Sequence, residues 1–192
     1  MATTMAASAV TDDEVLFTAL QAGGADALRT LIERHDGWIR SIVFAVLGRP
    51  ERVDDVTQQV WTTVWQQADR LREPARWRAW LARLTRNAAI DAGRDEARRR
   101  KITGPGDPAA LEAVAAIRPS PVEQVTLSER QRIVLGSIQG LPAIYREPFM
   151  LRHLEEWSYQ QIAEHLDAPI KTVETRLVRA RRLLREALEN KV

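Results

Sequence analysis

Lys171, Thr172, Thr175, Arg176, Arg179 and Arg182 crowd one short stretch near the C-terminus. Guanidinium and ammonium groups pair with phosphates. Arginines, lysines and hydroxyls at the start of a helix can also reach base edges in a major groove. The chemistry this set could do is therefore recognition of DNA rather than bond-making. Lys171, Thr172, Thr175 and Arg176 stand where base edges are read, whereas Arg179, Arg182 and the capped turn at Ser158 suit phosphate. Arg181 and Arg185 add charge against a single acid inside the stretch, Glu174.

Such a set needs a helix to carry it and a second helix to hold that one in place. Ser158 and Gln161 fit a capping box, which opens a helix whose apolar stripe is Ile162, Ala163 and Leu166. Asp167-Ala168-Pro169 breaks it. From Ile170 a second amphipathic helix turns Val173, Leu177, Ala180 and Leu184 inward. A short capped helix, a tight turn and a basic helix make a helix-turn-helix. The plain alternative, a solvated basic face, is weakened by the capped helix before it. A membrane-surface helix would carry Trp or Phe on its apolar face, and this one has neither.

The whole chain of 192 residues carries a net charge of only +2, so its basicity matters where it is concentrated, at Arg94–Lys101 and Lys171–Arg185. At 45% hydrophobic and 28% charged residues it reads as a soluble globular protein with material for two modest cores. There is no cysteine, which excludes disulfides, thiolate catalysis and Cys-based zinc sites and fits a reducing cytoplasm. No apolar run approaches the roughly 18 residues of a membrane span. Residues 1–10 lack the pattern of a secretory signal and are expected to be disordered.

The pattern predicts an all-α protein of two small helical domains joined by a flexible linker, the C-terminal one a helix-turn-helix. The first domain, over 11–102, holds four helices. One is capped by Thr11 and Glu14; a long one carries Leu28, Leu31, Ile32, His35, Ile39, Ile42, Val43 and Val46. A third runs from about Arg52 to Ala68 on Val53, Val56, Val60 and Val64, with Trp61 and Trp65 read as packing residues. The fourth turns Trp77, Trp80, Leu81, Leu84 and Ala88 inward. Residues 103–121 are punctured by glycine and proline and read as the linker. The second domain spans 122–192, and Pro148 within one of its helices should kink it. Nothing alternates with period two, so no sheet is expected.

Two motifs in this frame carry a resemblance. The first is Asp54-Asp55-Val56-Thr57-Gln58-Gln59-Val60-Trp61, followed by the helix from Trp77 to Arg94. The second runs from Leu141-Pro142 through Arg146-Glu147 and Leu151-Arg152 to Ser158-Tyr159, Thr172-Val173 and Arg179-Ala180-Arg181. They resemble the second and fourth conserved regions of the extracytoplasmic-function (ECF) group of sigma factors, in the sigma-70 family of bacterial RNA polymerase subunits. The resemblance covers about Val15 to Leu188. Asp167 replaces the usual glycine of the turn, a left-handed position that aspartate tolerates at some cost. Gln59 stands where an acid is common.

The resemblance implies no covalent chemistry and no cofactor. It implies docking on the core polymerase, β′ and β subunits, with Asp54, Asp55, Gln58 and Gln59 facing a coiled coil of β′. It implies capture of the −10 promoter element by Arg72, Arg76, Arg78, Arg83, Arg86 and Asn87. It assigns the −35 duplex to Ser158, Lys171, Thr172, Thr175, Arg176, Arg179 and Arg182, and the linker to the polymerase active centre and RNA exit path. An anti-sigma factor becomes a plausible partner alongside polymerase and promoter DNA, with a cytoplasmic location and no membrane insertion. Trp77 and Trp80 read as core residues rather than base-stacking platforms.

Three other classes compete. An enzyme finds no support: His35, His153 and His165 lie far apart, with no metal-ligand, nucleophile or phosphate-loop constellation. A stand-alone helix-turn-helix regulator would bind duplex tightly without polymerase and leaves the Asp54–Trp61 motif without a role. A pure interaction module, such as an anti-sigma or adaptor protein, does not need two basic surfaces.

Overall fold

The computed structural model describes residues 2–103 and 129–189. Most of the expected linker, together with 122–128, lies outside the described residues. Eight α-helices are seen there and no strand: α1 (Ala2–Gln21), α2 (Ala25–Leu47), α3 (Val53–Gln67), α4 (Trp77–Thr103), α5 (Glu129–Gln139), α6 (Ala143–His153), α7 (Tyr159–Leu166) and α8 (Ile170–Glu189). α1 begins at Ala2, ahead of the capping pair at Thr11 and Glu14. That stretch has no glycine or proline, and a formed helix extends at little cost once nucleated.

The N-terminal unit, α1–α4, closes around Phe17, Leu31, Ile39, Ile42, Val56, Val60, Val64 and Leu81, all essentially without solvent contact. Trp77 is 2% exposed and stacks on Phe17 at 5.7 Å, and Trp80 meets the same ring edge-on. Both therefore pack as the period of α4 predicts. His35 also joins this core: its Nε2 lies 3.0 Å from Asp13 Oδ2, and its ring lies 4.8 Å from Trp77. Burial lowers the pKa of His35 despite the Asp13 carboxylate, so the imidazole is held towards its neutral form.

Trp65 corrects the packing expectation, for its side chain is 45% exposed. It follows Gln58 by almost two full turns and so shares that residue's outward face. Trp61 is buried and donates from Nε1 to Asp36 Oδ1 at 2.9 Å.

In the C-terminal unit, α6 runs unbroken through Pro148. The carbonyl deprived of a partner there belongs to Ile144, an exposed residue that water can reach. The two units are not held apart. Leu151, Trp157, Ile162, Ala163, Leu166, Val173 and Leu177 belong to the same contiguous apolar core as the α1–α4 residues.

Candidate nucleic-acid and polymerase interfaces

The helix-turn-helix forms as its sequence dictates. The Gln161 N–H donates to Ser158 Oγ at 3.2 Å, and the Ser158 N–H donates to Gln161 Oε1 at 2.9 Å, which completes the capping box. α7 ends at Asp167 in the left-handed region, φ 48° and ψ 53°. The next N–H, that of Ala168, donates back to Ala163 O at 3.0 Å, which closes the helix end. The Pro169 carbonyl then accepts from Thr172 and Val173, at 2.8 and 3.2 Å, and starts α8. Val173, Leu177, Ala180 and Leu184 are buried, so the opposite face of α8 is fixed outward.

That outward face holds the α8 members of the expected −35 set, and Ser158 caps α7 beside it. Lys171, Thr175, Arg179, Arg182 and Ser158 are exposed, and Thr172 and Arg176 are half-buried. The start of α8 and α6 enclose an open cleft of about 300 Å³, lined by Lys171, Thr172, Thr175, Arg176 and Arg179 together with Ile144 and Tyr145. Arg179 donates to Tyr145 Oη at 3.3 Å, and the Thr175 hydroxyl donates to Lys171 O at 2.9 Å. Tyr145 and Ile144 were missed in the sequence, because nothing in α6 signals that it will border α8. The cleft is cationic, hydroxyl-lined and open, fit to meet an anionic polymer.

On the other unit, α3 buries Val53, Val56, Val60 and Val64 and exposes Asp54, Asp55, Gln58 and Gln59. Asp54 accepts from Arg40, whose Nε also donates to Asp36 Oδ2 at 2.5 Å. The hydrogen bonds from Arg40 to Asp36 and then Asp54 raise its pKa further. Among the described residues, Asp55 meets the Arg52 guanidinium, 3.5 Å away. Trp65 extends this face, and the signal that could have found it is its register with Gln58. Gln59 turns towards α4 and shares a shallow cleft of about 350 Å³ with Arg83 and Asn87.

Of the expected −10 residues, Arg76, Arg78 and Arg83 line one cleft and Arg83 and Asn87 another, and the six are not equally free. Arg72, Arg83 and Asn87 are exposed. Arg76 Nε lies 2.9 Å from Glu73 Oε2, and the Arg78 guanidinium sits 5.0 Å over the Trp38 ring. Arg86 is drawn away to Glu147 of α6, with Nε 2.6 Å from Oε1. Burial pushes the Glu147 carboxyl up, but His165 and Arg86 together hold it below its ordinary value. Among the described residues no cluster of His, Asp and Glu could hold a metal, and no helix is long and apolar enough to cross a membrane.

Comparison with known proteins follows the same division of the chain. Residues 31–99 match Sigma-70 region 2, and residues 131–184 match Sigma-70, region 4. The chain is 32% identical over 187 residues to the ECF RNA polymerase sigma-E factor of Escherichia coli K12, covering 94% of each. It is 30% identical over 167 residues to the probable RNA polymerase sigma factor RfaY of Xanthomonas campestris pv. campestris, covering 87% of this chain and 42% of that longer one. CnrH, solved in complex with the cytosolic domain of CnrY, superposes with a TM-score of 0.63 at 26% identity, over 94% of this chain and 99% of that one. RpoE of Bartonella quintana, solved with the anti-sigma factor NepR, shares the fold with the same TM-score at 20% identity, over 84% and 96%. A stand-alone regulator would call only for the C-terminal match. With both regions present in order, the chain belongs to the ECF RNA polymerase sigma factors of the sigma-70 family.

Proposed function

We propose that this sigma factor docks on the β′ subunit of core RNA polymerase through the outer face of α3, with Asp54, Asp55, Gln58, Gln59 and the adjoining Trp65 as the contact. The observation that carries this is that α3 is sealed by valines on one side and presents acids, amides and an exposed indole on the other. A basic coiled coil would find charge there, and the indole would supply buried area.

Arg72, Arg76, Arg78, Arg83, Arg86 and Asn87 then capture the −10 element as a single strand, where cations track the backbone and amides read unstacked bases. Lys171, Thr172, Thr175 and Arg176 read the −35 duplex in the major groove, with Ser158, Arg179 and Arg182 on phosphates. The functional division follows: 11–102 for polymerase and −10, 103–121 as the linker, 122–192 for −35. The protein acts in the cytoplasm, with no catalysis of its own. An anti-sigma factor is a fitting partner, as it is for the Bartonella RpoE.

Run-off transcription with bacterial core polymerase, on promoters selected from a random library, tests the reading. Initiation at specific promoters that is lost with Asp55→Ala or Gln58→Ala is the expected result. Asp55 is exposed and bound only loosely by Arg52, so its loss leaves the fold intact. No initiation, together with specific duplex binding by the chain alone, would overturn it.

A further inference from the structure

We propose that Gln21, the last residue of α1, is a positioning residue for −10 recognition, its side-chain amide bracing the loop that presents Arg72 and Arg76. This rests on the reading of those two arginines as −10 residues.

Between α3 and α4 the chain passes through two short 3-10 turns, Ala68–Arg70 and Pro74–Arg76, and only residues 71–73 between them lie outside a helical turn. Both turns are closed by their own backbone. The Leu71 N–H donates to Ala68 O at 3.1 Å, and the Arg76 N–H donates to Glu73 O at 2.9 Å. Pro74 stiffens the second turn further, because its ring fixes φ and restricts the residue before it, Glu73. What the local sequence leaves soft is the backbone at Leu71 and Arg72.

Gln21 supplies the brace at that point. Its Nε2 donates to Ala68 O at 2.9 Å and to Leu71 O at 2.6 Å. An amide nitrogen carries two protons, so both go to the base of the loop. The Leu71 carbonyl shares one planar peptide unit with the Arg72 N–H. No described peptide is cis, so holding that oxygen on Gln21 points the Arg72 N–H away from α1. The side chains of Arg72 and Arg76 are exposed.

α1 is itself fixed. Phe17, one turn before Gln21, is fully buried and stacks at 5.7 Å on Trp77, the first residue of α4 after the loop. One turn earlier still, Asp13 is 5% exposed; it accepts from Arg34 Nη1 and meets His35 Nε2 of α2, both at 3.0 Å. The loop is thus gripped at its base by Gln21 and at its exit by Phe17. Reading an unstacked base needs contacts of fixed geometry, and a loop free to turn at Arg72 would discriminate less between bases.

The test is initiation by holoenzyme carrying the full chain, on promoters that differ at single −10 positions and, separately, at single −35 positions. Ratios between promoters within one preparation cancel any loss of active protein, so mere destabilisation leaves them unchanged. Gln21→Met keeps the length of the side chain and removes its donors. If the presenting conformation falls to about one-tenth of the population, apparent affinity for the −10 strand weakens about tenfold. The expected result is a loss of that size at the preferred promoter and a flattened −10 base preference. The −35 preference and the affinity for core polymerase should equal the parent's. An unchanged −10 preference would overturn the proposal, and so would an equal flattening of the −35 preference. If Gln21→Met fails to fold, Gln21→Glu, the same shape without the donors, is read in the same way. Arg72→Ala combined with Arg76→Ala tests the reading beneath the proposal. A changed −10 preference there, beside an unchanged one in Gln21→Met, leaves that reading standing and removes the brace. The converse keeps the brace and removes the two arginines from the −10 set.

Discussion

The two basic surfaces of this sigma factor use their arginines differently. On α8 the cations have few acids beside them: Lys171 and Arg181 lie exposed, Arg179 touches a phenol, and Arg182 meets Glu186 at 3.7 Å in water. Along the stretch from Arg72 to Arg98 the acids recur three residues away from their partners, and Arg76, Arg94 and Arg98 pair with Glu73, Asp91 and Asp95. Those exposed pairs are worth only about 0–1 kcal/mol each, so they are exchanged at little cost. Arg86 is the exception, because its partner is buried. The difference separates a surface whose cations meet few acids from one in which Arg86 is engaged by a buried carboxylate.

The sharpest way to break this comparison is to remove the clamp that seats Glu147. The preceding residue, Arg146, donates to Ala45 O and Val46 O of α2 and to Gln139 O and Leu141 O of its own unit. Arg146→Leu strands those four carbonyls and should cost on the order of 3–5 kcal/mol, read from urea unfolding. A change below about 1 kcal/mol would mean that this seam between the units is not part of the folded core.

The division within α8 comes next. In holoenzyme binding across promoter variants and salt, Arg176→Ala should cost about 1–3 kcal/mol and relax preference at one base position. Arg179→Ala should weaken all sequences alike and reduce the salt slope by about 1. The reversed pattern would exchange their roles.

Smaller effects probe the scaffold. Ser158→Ala removes one half of the capping box and should cost about 1 kcal/mol in thermal or urea melts. Asp167→Gly relieves a left-handed side chain and should gain up to about 1 kcal/mol; a loss would show that the carboxylate contributes more than the strain costs. The contribution of His35 is set by pH. Burial lowers its folded pKa below the ordinary 6.5, so the unfolded chain binds the proton first. Stability should therefore fall as pH drops from about 6.5 through that lowered value. Glu147, with its pKa also lowered, adds a loss only further down, below the ordinary carboxylate range. His35→Gln should flatten the first of these slopes and leave the second.

What the sequence made legible was local. The capping box, the aspartate in the left-handed turn, the stripe of α8 and the valine face of α3 each depend on residues within a few positions of one another, where spacing alone fixes geometry. The start of α1 and the exposure of Trp65 were less legible, for related reasons. Helix extension past a cap signal is nearly free, and the edge of an apolar stripe is ambiguous until a neighbour covers it or leaves it bare.

Spacing along the chain sufficed for most of the helices, the order of the two matched regions and the residues that point outward from α3 and α8. It took the packed chain to show that Arg86 meets Glu147, that Arg146 binds the end of α2, and that Trp38 and Trp157 close one seam. Those contacts join residues roughly 60 to 120 positions apart. No short-range period encodes such a pairing; it exists because two apolar faces buried each other and carried their charged neighbours along.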